Sequence, residues 1–306
     1  MATFIKATKT LEAIERAIKN DQGGAYRQHL GRVLPHISDA YRGQEDGFRS
    51  HLGASVIGKE CGRAIWYSFR WFTKSVFPAR IMRLFNRGHL EEGRFIATLL
   101  TIGVQIYQQD AHGNQFRISD VGGHFGGSGD GVAVGLPDLP PGTPAITEFK
   151  THNDKSFVKL VKEGVRSSKF EHFVQMQIYM RKMGIPVALY MAVNKNDDDL
   201  YAEIVHLESN VSDQFIERGR TIILAQVPPT RISNSPGWMA CSWCEHKPVC
   251  HLKAAPERNC RTCVHSVARE DGIWYCTELK ATAGFGGNLE LNKETQAKAC
   301  PDYKAR

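Results

Sequence analysis

The chain has 306 residues, 42% of them hydrophobic and 23% charged, so it can bury a sizeable core organised as one main domain with extensions. A net charge of +7 and a pI near 9.0 favour a polyanionic partner. No leading apolar segment and no run long enough to cross a bilayer is present, which excludes secretion and membrane insertion as expectations and favours a cytoplasmic protein.

Residues 1–54 read as a polar, helical N-terminal segment. Within it, TLEAIERAIKN forms a short amphipathic helix stopped at Gly23-Gly24, positioned to pack on a core or to recruit a partner. Cys61 follows. Next comes a run in which arginines and aromatics interleave, Arg63-Ala64-Ile65-Trp66-Tyr67-Ser68-Phe69-Arg70-Trp71. It suits either base stacking and phosphate contact or an amphipathic core helix.

Residues 81–103 have helical periodicity. At about 100° per residue, Ile81, Phe85, Gly88, Phe95, Ile96 and Leu99 share one face with Glu92 in its middle, while Glu91 joins Arg87, Arg94 and Thr98 on the polar side. A carboxylate facing a core is costly unless it is paired or binds metal, which makes Glu92 the functional candidate and an arginine ion pair its plain alternative. Strands are expected at 104–109 and 115–120. The glycine-rich GGHFGGSGDG lacks the Gly-Lys-Ser/Thr ending of a phosphate loop and opens no clear helix, so it reads as turns leading to Asp130 and a strand at 130–135.

Pro137, Pro140, Pro141 and Pro144 mark an exposed hairpin loop before a buried strand at 144–150, PAITEFK. Alternate strand residues share a face, so Glu148 and Lys150 can converge on one point. An acidic pair that holds a divalent cation beside a lysine meets the needs of phosphodiester hydrolysis: the metal offsets phosphate charge and acidifies water, and the lysine orients or deprotonates it. Glu-x-Lys alone is uninformative, and its weight comes from Asp130 upstream and the helix that follows. Helices are expected at 154–164 and 169–183. On the second, Gln175 and Tyr179 are i,i+4 neighbours, with His172 one turn earlier, bordering a packing stripe of Phe173, Met176, Met180 and Met183. Strands at 187–194 and 200–207 and a helix at 211–225 complete the series, and Pro228, Pro229 and Pro236 bound the passage to a cysteine motif.

The eight cysteines fall into two sets, Cys61 with Cys241, Cys244 and Cys250, and Cys260 with Cys263, Cys276 and Cys300. In a reducing compartment, Cys-x2-Cys occurring twice points to metal rather than disulfides. Four thiolates alone do not separate an iron–sulfur cluster from zinc. The second set reads as a zinc-bound appendage over 251–306, with His265 or His251 as a possible substitute ligand, because so short a tail with few large apolar residues needs such a staple.

Gly88 and Glu92, Asp130, Glu148-x-Lys150 and Gln175-x3-Tyr179, taken in order, resemble the motifs of the RecB-like branch of the PD-(D/E)xK nuclease superfamily, over about residues 55–250. The resemblance implies an α/β, restriction-endonuclease-like core: a mixed sheet flanked by helices, with the N-terminal helical segment (1–54) before it and the cysteine-rich appendage after it. It implies Mg²⁺ or Mn²⁺ held by Glu92, Asp130, Glu148 and the carbonyl of Phe149, catalysis by Lys150, and DNA engagement by Gln175 and Tyr179, with contacts to phosphates and to Lys150. One cysteine before the core and three after it resemble the iron–sulfur members, which implies a structural [4Fe–4S] cluster on Cys61, Cys241, Cys244 and Cys250.

The activity so implied is a metal-dependent DNA exonuclease of recombination, repair, phage DNA metabolism or CRISPR spacer processing, with a recombinase, annealing protein or helicase as partner. No ATPase or helicase motif is present, so a motor would be a separate chain. The competing readings are a catalytically silent DNA-binding scaffold and a nuclease acting on RNA.

Overall fold

The computed structural model describes residues 4–41, 48–278 and 289–306. Parts of the expected N-terminal segment (1–3 and 42–47) and of the appendage (279–288) lie outside the described residues. The order begins β1 (Ile5–Lys6), α1 (Thr8–Asp21), α2 (Gly24–Val33), β2 (Leu52–Gly53), α3 (Gly62–Phe69) and α4 (Ala79–Thr101). It continues β3 (Gln105–Tyr107), β4 (Arg117–Asp120), β5 (Phe125–Ser128), β6 (Gly131–Val134), β7 (Pro144–His152), α5 (Asp154–Ser168) and α6 (Phe170–Met183). After β8 (Val187–Asn194), β9 (Leu200–His206) and α7 (Ser209–Leu224) come α8 (Met239–Ser242), α9 (Lys247–His251), β10 (Ser266–Ala268), β11 (Trp274–Cys276), β12 (Leu289–Leu291) and α10 (Lys293–Ala297).

Two compact units share the chain. One gathers Met1–Gly43, Phe77–Ile118 and Ser128–Asp213; the other gathers Gln44–Val76, Ser119–Gly127 and Gln214–Arg306. No helix among the described residues is long and apolar enough to cross a membrane.

The first unit is α/β, as expected: a six-stranded mixed sheet in the order β1-β9-β8-β7-β6-β3, flanked by helices. Only β7 and β8 run parallel, joined through α5 and α6; the other described neighbours are antiparallel. The side chains of β7 alternate. Ala145 and Phe149 enter a core with Phe95, Ile96 and Leu99 of α4 and Leu189, Met191 and Val193 of β8. Phe149 stacks on Phe95 with centroids 5.1 Å apart, and burying a ring of this size is worth about 1.5–3 kcal/mol. The opposite set is Ile146, Glu148, Lys150 and His152, so the alternation that strand geometry imposes delivers the polar residues together.

The N-terminal helix packs on this core, with Ala7 and Ile14 in the cluster. No side chain of its own caps α1. Asp138, in the proline-marked hairpin loop, accepts hydrogen bonds from the backbone N–H of Lys9 and Thr10 and from the Thr10 hydroxyl, at 3.1, 2.7 and 2.7 Å. A carboxylate there satisfies free helical N–H groups and complements the helix dipole. The helix ends at a left-handed Gln22 followed by Gly23, and α2 starts at once at Gly24.

On α4, two details differ from the helical-wheel expectation. Glu91 is 6% exposed rather than solvent-facing, and its carboxylate accepts from Arg94 at 3.0 Å. Phe85 is 42% exposed instead of buried and packs edge-on against Phe77. The second half of α4 is buried over most of its circumference, so a single apolar stripe does not describe it.

In the second unit, the aromatic-arginine run builds a core rather than a base-stacking surface. Trp66, Tyr67, Phe69, Arg70 and Trp71 are all buried. Arg70 lies over Trp66 and Trp274, and Arg261 over Trp71, with the guanidinium 3.8 Å from the ring centre. Both cations donate to neutral acceptors, Arg261 to Phe69 O, Ser50 O and Gln296 Oε1 and Arg70 to Ala225 O and Arg261 O, while Arg70 Nε is buried without a hydrogen-bond partner. Burial without a carboxylate partner lowers both pKa values, that of Arg261 to about 9. One sheet of this unit, β10-β11-β12, is antiparallel, and in another β2 pairs with β5 in parallel. The glycine-rich stretch turns at its start, where Gly122 has φ +60° and lies so close to the backbone of Asp271 that a Cβ would come within 2.2 Å of it, but Phe125–Ser128, expected as turns, forms strand β5.

Candidate active site

Glu148 stands near the middle of β7, 1% exposed, and its two oxygens have different partners. Oε1 pairs with the Lys150 ammonium, two residues on along the same face. Oε2 accepts from Gln175 Nε2 of α6 at 3.0 Å. Lys150 Nζ also donates to the carbonyl of Phe149 at 3.1 Å. Asp130 immediately precedes β6, where its Oδ2 accepts the Phe149 N–H at 2.9 Å. A side chain thus continues the ladder one position past Gly131, which pairs with Thr147, and fixes the carboxylate beside Glu148 and Lys150.

Glu92 completes the group from α4. Its pKa is pushed up to about 8, first by burial and then by the negative charge of Asp130 and Glu148, with Lys150 opposing. That of Glu148 is pushed up to about 7, again mainly by burial, with Lys150 lowering it and Asp130 raising it. Burial alone would lower the pKa of Lys150, but the carboxylates of Glu148 and Asp130 outweigh it and hold the ammonium protonated. Three mutually repelling carboxylates, relieved by one cation, are what the structure places at this point.

Gln175 therefore meets Glu148 rather than the expected Lys150. Tyr179, 2% exposed, donates its hydroxyl to Ser128 O at 2.8 Å. Phe173, Met176 and Met180 are buried packing residues, as the stripe implies. A further polar chain went unread in the sequence. His152 Nε2 and His172 Nδ1 both meet the Tyr190 hydroxyl, at 2.8 and 3.0 Å, and His152 Nδ1 faces Ser156 Oγ, which accepts from Lys169. Burial, then neighbouring lysines including Lys150, lowers the pKa of His152 to about 4 and that of His172 to about 3, so both rings are neutral. Extending the Glu148, Lys150 alternation by one step would have found His152. Tyr190 carries no such signal; it comes in only through its register opposite Glu148.

Glu92 and Asp130 open into a polar cleft of about 910 Å³, walled by α2 and the turn after it, by α4, and by the stretch from Ile106 to Gln115.

The cysteines lie in the second unit. Cys61 caps α3, its sulfur accepting from the Ala64 N–H at 3.4 Å. The thiols of Cys241 and Cys244 are raised in pKa by burial, with Cys61 and Cys250 adding to the shift. All four cysteines of the later set line one cavity of about 250 Å³, together with His265 but not His251. There the Cys260 thiol is pushed up to about 11 by burial and by the other three, and it donates to the carbonyls of Thr295 and Lys298. Among the described residues, no three His, Cys, Asp or Glu side chains stand in an arrangement that could close around a metal ion. Two oxygens expected in such a role, Glu148 Oε1 and Phe149 O, are engaged by Lys150.

No family model matches the chain, and no curated protein matches it. Among solved structures it is similar to an alkaline exonuclease, LHK-Exo from Laribacter hongkongensis, at 15% identity and a TM-score of 0.40 over 56% of this chain and 86% of that one. LHK-Exo in complex with dAMP gives 16% identity and 0.42 over the same shares. SSO0001 gives 13% and 0.39, over 76% of this chain and 96% of that one. These are distant likenesses, and the chemistry of the site is read from its own residues.

Proposed function

We propose that the chain is a metal-dependent nuclease of the RecB-like PD-(D/E)xK type, acting on DNA and working as an exonuclease. The observation that carries this reading is the meeting of Glu92, Asp130, Glu148 and Lys150 at one point, with Gln175 bound to Glu148. An all-oxygen donor set of carboxylates suits a hard cation such as Mg²⁺ or Mn²⁺, and burial, with the neighbouring carboxylates adding to it, raises the pKa of Glu92 and Glu148, so that a bound cation would favour their ionised forms. Glu92, Asp130, Glu148 and the Phe149 carbonyl would hold it once Lys150 turns away from two of those oxygens. Bound there, the cation supplies Lewis acidity and a more acidic water.

The role of the protein's own groups follows from their partners. Lys150, held protonated, serves as a donor that orients the nucleophile or offsets charge on the phosphate. Gln175 fixes the rotamer of Glu148, and Tyr179 ties α6 to Ser128. The intact acidic and lysine positions count against a silent scaffold. Cleavage of end-labelled single- and double-stranded DNA, with and without Mn²⁺, tests the reading, and a parallel RNA substrate separates the competing nuclease.

The reading includes two metal centres outside the active site. A [4Fe–4S] cluster on Cys61, Cys241, Cys244 and Cys250 rests on the iron–sulfur resemblance and on the mutual electrostatic influence of these thiols. Zinc on Cys260, Cys263, Cys276 and Cys300 rests on their lining one cavity and requires the Cys260 thiol to leave its carbonyl partners.

A further inference from the structure

The cavity lined by the later cysteines holds five sulfur and imidazole donors, Cys260, Cys263, His265, Cys276 and Cys300, one more than a tetrahedral zinc ion takes. The local chain explains how His265 comes to be among them. Cys263 is extended, with φ −78° and ψ 142°, and Val264 beyond it is 41% exposed. Alternation along an extended segment sends Cys263 and His265 into the cavity and Val264 out of it. The His265 carbonyl accepts from the N–H and the hydroxyl of Thr277, at 2.9 and 3.1 Å, which sets His265 next to the end of the strand that carries Cys276. The Val264 N–H donates to Lys304 O, and this brings the turn after Cys300 against the same segment.

Among the described residues no three of these donors converge on one point, so closing a site asks side chains to rotate, and they differ in what each gives up. The Cys260 thiol gives up two acceptors, the carbonyls of Thr295 and Lys298, each at 3.2 Å at the end of α10. Those contacts give Cys260 an occupation of its own, fastening its turn to that helix. His265 gives up least. Its Nε2 is buried with no hydrogen-bond partner, and its Nδ1 stands 3.3 Å from a Glu278 oxygen. One ring nitrogen facing a carboxylate, with the other left bare, is the arrangement that orients a metal-ligating histidine and raises its basicity. A buried ring nitrogen without a partner is costly unless something binds it. Charge points the same way. Three thiolates and a neutral imidazole carry one negative charge fewer than four thiolates, in a cavity that Glu278 and Asp302 also line.

We infer that the zinc ligands here are Cys263, His265, Cys276 and Cys300, with Glu278 orienting the histidine and Cys260 left as a thiol. This assignment rests on the zinc reading of the appendage and sharpens it, since four cysteines are the ligands expected from the sequence. X-ray absorption at the zinc edge, on the full chain purified without oxygen and supplied with zinc sulfate, reads the shell directly and needs no variant to fold. Three sulfurs at about 2.3 Å and one nitrogen at about 2.0 Å are expected. Cys260→Ser should keep that shell and the wild-type zinc content, whereas His265→Ala should lower the content by about one ion per chain. Glu278→Gln should keep the metal and weaken zinc affinity roughly 10- to 100-fold against a competing chelator. A four-sulfur shell would overturn the assignment and leave zinc on the cysteines, as would loss of zinc from Cys260→Ser with retention in His265→Ala. A wild-type chain that takes up no zinc would remove the zinc reading itself, and this assignment with it. The nuclease reading is untouched by either result, because no arm of the experiment measures cleavage.

Discussion

Gln175 holds Glu148: its amide donates to Oε2 at 3.0 Å from one face of the sheet, while Lys150 takes Oε1. A buried carboxylate with one donor removed pays for it in stability as well as in position. Gln175→Leu should therefore cost about 1–3 kcal/mol and reduce nuclease turnover. Urea denaturation and cleavage rate measured on the same preparation check this, and an unchanged protein on both counts would remove Gln175 from the site.

Glu91 and Glu92 should part company in the assay. Glu91 pairs with Arg94, whose side chain is 41% exposed, so Glu91→Gln should lower stability by roughly 1 kcal/mol and leave the Mn²⁺ dependence of cleavage alone. Glu92→Gln should shift the Mn²⁺ titration to higher concentration. Equal effects of the two on that titration would undo the assignment.

How much of this was legible beforehand is clearest along β7. Strict alternation puts Glu148 and Lys150 on one face whatever else the fold does, and β8 has the bounds 187–194 expected of it. Angular reasoning on α4 directed Glu92 to the site and failed for Glu91 and Phe85, because a wheel assumes one buried stripe and the last turns of α4 are packed on several sides. The interleaving of residues 44–76 and 119–127 with the C-terminal stretch in one unit was invisible, since it is set by tertiary contacts such as Arg261 with Phe69 O and Ser50 O. The approach of the turn after α2 to α4 was hidden for the same reason: only the close contact of Gly93 with Leu34 and Ile37 reveals it.

His124 should make stability pH-dependent. Its ring is buried, edge-on to Trp274, and burial lowers its pKa to about 4. The unfolded imidazole takes up a proton below its ordinary value of about 6.5, while the folded one resists until about 4. The unfolded state therefore binds more protons in that window, and stability present above pH 6.5 is lost as pH falls toward 4, at no more than about 1.4 kcal/mol per pH unit from this group. Urea midpoints for wild type and His124→Phe across that window test it: wild type should lose stability relative to the variant on acidification, and a constant difference would count against a neutral, buried His124.

The two cysteine sets should carry different metals. Protein purified without oxygen should be brown, with iron and acid-labile sulfide; Cys61→Ser or Cys241→Ser should bleach it, and Cys263→Ser or Cys276→Ser should release zinc and keep the colour. Elemental analysis of the anaerobic protein showing zinc alone, about two ions per chain at four thiolates each, would refute the iron–sulfur cluster and leave the active site untouched.

Lys150→Ala, assayed with Mn²⁺ on end-labelled single-stranded DNA beside the wild type, tests the central claim most directly. The wild type should release short products only when Mn²⁺ is present, and the variant should bind the same DNA yet cleave it at least about a hundredfold more slowly. A variant cutting at the wild-type rate, or a wild type cutting equally well in EDTA, would contradict a metal-dependent active site built on Glu92, Asp130, Glu148 and Lys150.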